Sequence, residues 1–240
     1  DHTGRIGTYP EMAVKEGMAA IMFGGGFRPE RGHVAPFGGR TGVLGTNPIS
    51  MGFPQSEGPP ILLDFATSMA AEGKLRVYRN RGVSLPGEWL VDKHGNLSDD
   101  PNSYYDGGAL LPMGGSLSGH KGYALSIMVA LFGGLLGQSA VPSTTTAKSW
   151  DGSSIIVVDL EHVASSLDVK AHLEEMTQVL HQTPPADGFD SVLYPGEIEA
   201  KTRQNRMENG IQIEQATWDQ VKERFGEYGV MDELAGMGDR

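Results

Sequence analysis

Leu111-Pro-Met-Gly-Gly-Ser-Leu-Ser-Gly-His-Lys-Gly-Tyr123 runs directly into the apolar stretch 124–136. It reads as a glycine-rich loop carrying one imidazole and one ammonium, followed by a helix over 123–136. That helix is apolar on nearly every face, so it should be buried. A helix start collects unpaired backbone N–H groups and the positive end of the peptide dipoles. Glycines let the backbone approach a ligand closely, and Lys121 adds a full charge. The pattern predicts an anion site suited to the phosphates of a nucleotide or dinucleotide. A P-loop fits less well. Gly114, four residues and Gly119 are followed by His120-Lys121-Gly122, so the lysine is displaced by one and the magnesium-binding hydroxyl is missing. A tight turn with an exposed lysine is the plainer alternative.

Outward from this stretch, apolar runs alternate with glycine-rich punctuation, the texture of an α/β protein with functional loops. The pattern predicts a short helix over 10–16 ended by Gly17, and a strand over 18–23 running into Gly24-Gly25-Gly26. Two more strands are expected at 49–53 and 61–65, then a helix over 69–80 capped by Ser68 and stopped near Gly82. Residues 88–108 read as a hairpin and a loop, and 139–151 as a mobile loop. The run 155–160 reads as a strand covered on both faces. Residues 166–181 form an amphipathic helix pattern ended by Pro184-Pro185. Thr217 and Gln220 have capping-box spacing for a last helix through Phe225. No internal repeat is visible.

The 240 residues suit one large α/β domain, and at 39% hydrophobic the chain can bury a core. Thirty acids against 19 bases give a formal charge of −11, which argues against nucleic acid or an anionic membrane surface as partner. The absence of cysteine excludes disulfides, thiolate chemistry and cysteine-ligated zinc, and fits a cytoplasmic setting. The run 124–136 is too short and too glycine-broken to span a bilayer. The chain starts at Asp1 with candidate functional residues at once, so it is expected to be a fragment or a processed chain.

Several residues carry competing readings. Asp64 ends a strand in Ile61-Leu-Leu-Asp-Phe-Ala-Thr-Ser68 and should be partly buried, which demands a partner. It either orients a catalytic imidazole, binds a polar cofactor group, or caps the helix at Ser68. His2 is either a simple exposed histidine or a proton shuttle. His33, His94, His162, His172 and His181 lack ligand spacing, so no metal site is expected; His172 and His181 read as solvated. Gly45-Thr-Asn-Pro48 either caps the next strand or touches a ligand. Pro195-Gly-Glu197 reads as a turn, with Lys201, Arg203 and Arg206 on the solvated face of the helix after it.

Together, Asp1-His-Thr-Gly-x-x-Gly-x-Tyr9, Ala35-Pro-Phe-Gly-Gly39, Leu44-Gly-Thr-Asn-Pro48, Leu63-Asp-Phe-Ala-Thr-Ser68, Leu111-Pro-Met-Gly-Gly115 with His120-Lys-Gly-Tyr123, and Tyr194-Pro-Gly-Glu197 resemble one family. It is the non-Rossmann malate/L-lactate dehydrogenase family, which includes ureidoglycolate and sulfolactate dehydrogenases, diketogulonate reductase and piperidine-2-carboxylate reductase. The resemblance implies an α/β fold, a mixed sheet flanked by helices, that binds dinucleotides without a GxGxxG. It implies NAD or NADP as cofactor, a 2-hydroxy or 2-oxo acid (or related imino acid) as substrate, and a homodimer. On that basis residues 1–234 form one NAD(P)-binding catalytic domain, with 235–240 a frayed tail.

By motif position, the resemblance makes His2 a catalytic acid/base, oriented by Asp64 if the two meet. It makes Asp64, Phe65, Ala66, Thr67, Ser68, His120, Lys121, Pro195, Gly196 and Glu197 cofactor-contacting, with Gly26 offering at most a backbone contact. The chain departs from the family pattern in three places. It has no Ser-His-Gly-x-x-Arg segment before His2, the stretch between Phe23 and Ala35 is longer, and Ser116-Leu-Ser118 looks inserted. A dinucleotide-binding module without catalysis is therefore the competing expectation.

Overall fold

In a computed structural model, residues 3–30, 32–137, 140–141, 149–163 and 166–230 are described. The expectations for His2 and for 235–240, and most of that for 139–151, lie outside them. The fold is α/β, as the patterning implied, and its strands pair antiparallel. A five-stranded sheet has the order β3-β2-β1-β8-β7, built from β1 Ala19–Phe27, β2 Pro48–Phe53, β3 Ile61–Ala66, β7 Ala140–Val141 and β8 Ser149–Val158. A smaller sheet, β5-β4-β6, comes from β4 Leu90–Val91, β5 Leu97–Ser98 and β6 Ala109–Leu110. The expected hairpin is thus present, followed by one helical turn, α3 Asn102–Tyr105.

Helix α1 Thr8–Lys15 lies on β1 and β2, with Pro10 and Val14 over Gly52. Helix α2 Glu72–Arg81 ends on Gly82 in the left-handed conformation (φ 65°). With the small sheet it encloses a core of Val34, Leu44, Ala70, Leu75, Leu85, Leu90 and Leu110. The remaining helices are α4 Gly115–Val129, continued by a π-helical segment Ala130–Leu135, then α5 Leu160–Val163, α6 Ser166–Gln182, α7 Glu197–Asn209 and α8 Gln215–Glu227.

Several expectations are corrected. Gly24-Gly25-Gly26 does not stop the first strand, which runs to Phe27. Its glycines leave bare backbone against which Gly133 and Gly134 of the π-helical segment pack. A Cβ on Gly134 would fall 2.6 Å from the Gly25 carbonyl oxygen. Ser68 does not cap α2, which starts at Glu72; its hydroxyl donates instead to the Ala70 carbonyl (2.7 Å). Residues 149–151 of the expected loop are strand. The run 155–160 is not covered on both faces: Ile155, Ile156 and Val157 are 45–47% exposed, while α1 packs on the neighbouring strands β1 and β2. Thr217 lies inside α8 rather than at a capping box, and no side chain caps that helix.

Asn47 ties these layers together. Wholly buried and held at φ 41°, it accepts from the Gly26 N–H (2.9 Å). It donates to the Ser126 carbonyl (3.1 Å) and hydroxyl (3.0 Å), and its own carbonyl accepts from the Thr67 hydroxyl (2.8 Å). The motif Gly45-Thr-Asn-Pro48 is therefore an internal brace, neither a strand cap nor a ligand contact at Asn47. Asn47→Ala would strand at least one buried N–H and is expected to cost about 3 kcal/mol. Urea unfolding should show that loss; a change below about 0.5 kcal/mol would refute the bracing role.

Candidate active site

β3 is the edge strand of the large sheet, and among the described residues its outer side is closed at its two ends. At one end the Leu62 N–H donates to the Pro195 carbonyl (2.9 Å). At the other, the Met113 N–H donates to the Thr67 carbonyl (2.9 Å) and the Met69 N–H to the Leu111 carbonyl (3.0 Å). By the two-residue period of a strand, the peptide groups of Asp64 and Ala66 face the same open side as that of Leu62. The track from Leu62 to Thr67 is about 17 Å long.

The Thr67–Met113 contact delivers the start of α4 to one end of this track. Gly114 and Gly115, at φ 96° and 57°, turn the chain into the helix. Contrary to the expected loop over 114–122, residues from Gly115 onward are already helical. Ser118 then breaks the geometry (φ −131°, ψ 16°), and the helix restarts at Gly119. Helical packing overrides the weak propensity of these glycines, since Gly119 lets the Phe37 ring lie against the helix and Gly122 sits directly on the Met113 backbone. The Ser116-Leu-Ser118 departure is thus the turn ahead of the kink, with Leu117 93% exposed. Gly119, His120 and Lys121 form the first turn of the restarted helix. Lys121 is exposed and has no acidic partner among the described residues. His120 lies edge-on to Phe37, ring centres 5.7 Å apart.

Asp64 sits midway along the track. One carboxylate oxygen accepts from the Gly7 N–H at the start of α1 (2.9 Å) and lies 3.9 Å from Arg5 Nε. Asp64 therefore caps α1, not a helix at Ser68, and it binds the backbone a few residues beyond His2. Its other oxygen has no partner among the described residues. Phe65 is 37% exposed, whereas Thr67 and Ser68 are buried, their hydroxyls bonded to backbone carbonyls. Gly26 is also turned inward: its N–H is held by Asn47 and its carbonyl by the Gly45 N–H. Its backbone is committed to the protein.

Beside the Leu62 end opens a cavity of about 610 Å³. Pro60, Leu62, Ile198 and Met207 give it apolar walls, and Arg5, Arg203 and Arg206 line it together with Glu11 and Glu199. Arg5 pairs with Glu11 (2.6 Å), and Arg203 lies 3.5 Å from the same carboxylate. Arg203 and Arg206 thus face a cavity, which the solvated-helix reading had missed; only the tertiary fold brings Arg5 to them. His33 bonds to the Tyr104 hydroxyl, whose pKa burial and the nearby Glu72 push up to about 12. That pair lies at the small sheet, apart from the track.

Pro195-Gly196-Glu197 closes the Leu62 end. Gly196 (φ 105°) lies so close that a Cβ would fall 2.7 Å from the Pro60 carbonyl oxygen. Glu197 turns inward and accepts from the Tyr194 N–H and His181 Nε2, both at 2.9 Å. His181 is accordingly partnered, not simply solvated. The donor set along the track suits a dinucleotide: an ammonium and a helix start for phosphate, peptide groups left open among the described residues for polar contacts, and the apolar walls of the cavity for a ring.

A family model described as malate/L-lactate dehydrogenase matches residues 1–222. The chain is 34% identical over 237 residues to a malate dehydrogenase of Pyrococcus horikoshii, covering 96% of this chain and 64% of that protein. It is 35% identical over 223 residues to an L-lactate dehydrogenase of Cupriavidus necator, covering 90% and 62%. A solved structure of a putative malate/lactate dehydrogenase from E. coli superposes with a TM-score of 0.83 at 31% identity, covering 97% of this chain and 65% of that one. The chain belongs to the malate/L-lactate dehydrogenase family, and it spans just under two thirds of the length of these relatives. L-sulfolactate dehydrogenase and a pyrroline/piperideine-carboxylate reductase are also among its relatives. No helix among the described residues is long and apolar enough to cross a membrane.

Burial pushes the Glu197 carboxyl up, but His181, the Tyr194 N–H and Lys201 outweigh it and hold the group below its ordinary value. Its contribution to stability is present above the carboxylate range and is lost as pH falls through it. Glu197→Gln should therefore be less stable than wild type at neutral pH, with the difference shrinking toward about pH 4. Urea midpoints at the two pH values test this, and a constant difference would contradict it.

Proposed function

We propose that this chain is the cofactor-binding and catalytic part of an NAD(P)-dependent oxidoreductase that interconverts 2-hydroxy and 2-oxo acids. The observation that carries the reading is the β3 edge with the arginine-lined cavity at one end, Asp64 along it, and at the other end the helix start with Lys121, which has no acidic partner among the described residues. Family membership supports the class of reaction. A homodimer in the cytoplasm accords with the family and with the absence of cysteine.

When bound, the nicotinamide supplies or accepts the hydride at the substrate's C2. Lys121, with the N–H groups around His120, holds the cofactor's anionic groups. The Asp64–Ser68 edge offers its peptide groups as polar contacts. Thr67 and Ser68 act by fixing the backbone, since their hydroxyls are engaged inside the protein. Pro195 and Gly196 wall the track, and Glu197 fixes that wall. During reduction negative charge develops on the substrate's carbonyl oxygen, and His2 delivers the proton there. Asp64, whose second oxygen has no partner among the described residues, is the group to hold the imidazole in the donating tautomer. Arg5, Arg203 and Arg206 are the cations available to the substrate's carboxylate.

Titration of NADH and NADPH fluorescence tests the site. Saturable binding is expected, loosened about tenfold by Lys121→Ala, the scale of one lost charged contact. His2→Ala should leave cofactor affinity nearly intact and lower turnover by about 10²–10⁴-fold. Wild-type kinetics in His2→Ala would remove His2 from the mechanism. Cofactor binding without turnover in the unaltered chain would identify it as a binding module instead.

A further inference from the structure

The contact between α6 and the turn before α7 is given no role by the sequence pattern or by family membership. His181, at the C-terminal end of α6, reaches Glu197 at the first residue of α7. The same oxygen, Glu197 Oε2, accepts from the Tyr194 N–H. The His181 and Tyr194 rings lie 5.5 Å apart at 34°, and Tyr194 is itself 5% exposed, its hydroxyl donating to the Pro59 carbonyl (3.0 Å). Glu197 is well enclosed, with its side chain 10% exposed, against 45% for His181. One carboxylate oxygen therefore ties the turn to α6, and the turn's Pro195 carbonyl is the group that binds the Leu62 N–H at the start of the β3 edge.

We propose that His181 is a positioning residue for the dinucleotide site: through Glu197 it sets the Tyr194–Pro195–Gly196 turn against β3 and so fixes the near end of the track. The inference rests on the dinucleotide reading of that track. His181 bonds to Glu197 and lies against the Tyr194 ring, and it is not among the residues that line the cavity, so its effect passes through the turn. Without its N–H, Glu197 keeps the Tyr194 contact but loses the bond that anchors it to α6. The close seat of Gly196 on Pro60 leaves little room for the turn to shift without releasing Leu62.

The test compares wild type with His181→Leu, which lacks a donor, and His181→Gln, which keeps one. Two readouts are taken: amide exchange at Leu62 in the chain without cofactor, and dissociation constants for NADH and NADPH by fluorescence. Leu62 exchange should accelerate at least about tenfold in His181→Leu, and the tighter dinucleotide should bind about tenfold more weakly, the scale of one charge-assisted hydrogen bond. His181→Gln should restore both to within about threefold of wild type. Unchanged Leu62 exchange in folded His181→Leu overturns the proposal. So does a fall in thermal midpoint without change in affinity, or the same loss of affinity in both variants. If wild type binds neither dinucleotide, the reading of the track fails with the positioning role built on it; if it binds and only the variants behave alike, the positioning role alone fails.

Discussion

Asn47 is the constraint on which the arrangement depends. A buried amide must satisfy both its acceptor and its donor, and a residue at positive φ is held only by surrounding structure. Asn47 meets both demands by bridging β1 at Gly26, α4 at Ser126 and the end of β3 at Thr67. The three elements that carry or support the candidate site are thus registered by one residue, its side-chain amide holding Gly26 and Ser126 and its main-chain carbonyl holding Thr67. Thr67 then passes the register on, since its carbonyl holds Met113 and Met113 leads into α4. Displacement of Asn47 would move the track and Lys121 relative to one another.

Around this brace the protein uses glycine as a packing surface. The π-helical segment rests on the bare backbone of β1, and α4 starts on the bare backbone at Met113. Such contacts bury peptide groups against each other with no side chain between them, so they fix spacing tightly. The cost is weak local propensity in both elements, offset by tertiary contact. The result is an edge strand whose ends are pinned while its middle is left open by the described residues, which is what a chain needs if polar peptide groups are to meet a ligand.

Much of this was legible in the sequence. The strands at 49–53 and 61–65, the hairpin and the helices announced themselves by periodicity and turn residues. Asp64 and the His120-Lys121 pair stood out as charges set among glycine and apolar residues. What failed did so for identifiable reasons. Gly24-Gly25-Gly26 and the glycines before Tyr123 looked like breaks because local propensity carries no information about a helix packing on backbone. Ser68 and Thr217 looked like caps because the spacing was right, yet tertiary contacts moved both helix starts. Asn47, Arg203 and His181 could not be assigned, since their partners lie 20 to 79 residues away for Asn47 and on another helix for His181. Gly26 and Glu197 fell at family cofactor positions, yet the fold turns their polar groups toward the protein.

The central claim is that a nicotinamide dinucleotide lies along the open edge of β3 and reaches the restarted helix at Gly119. Backbone amide shifts of isotopically labelled chain, followed during titration with NADPH and with NADH, test it most directly. The account predicts that at least one dinucleotide perturbs Asp64 and Ala66 together with Gly119, His120 and Lys121, while the buried Asn47 brace stays in place. Saturable binding whose perturbations miss both β3 and the start of α4 would contradict it.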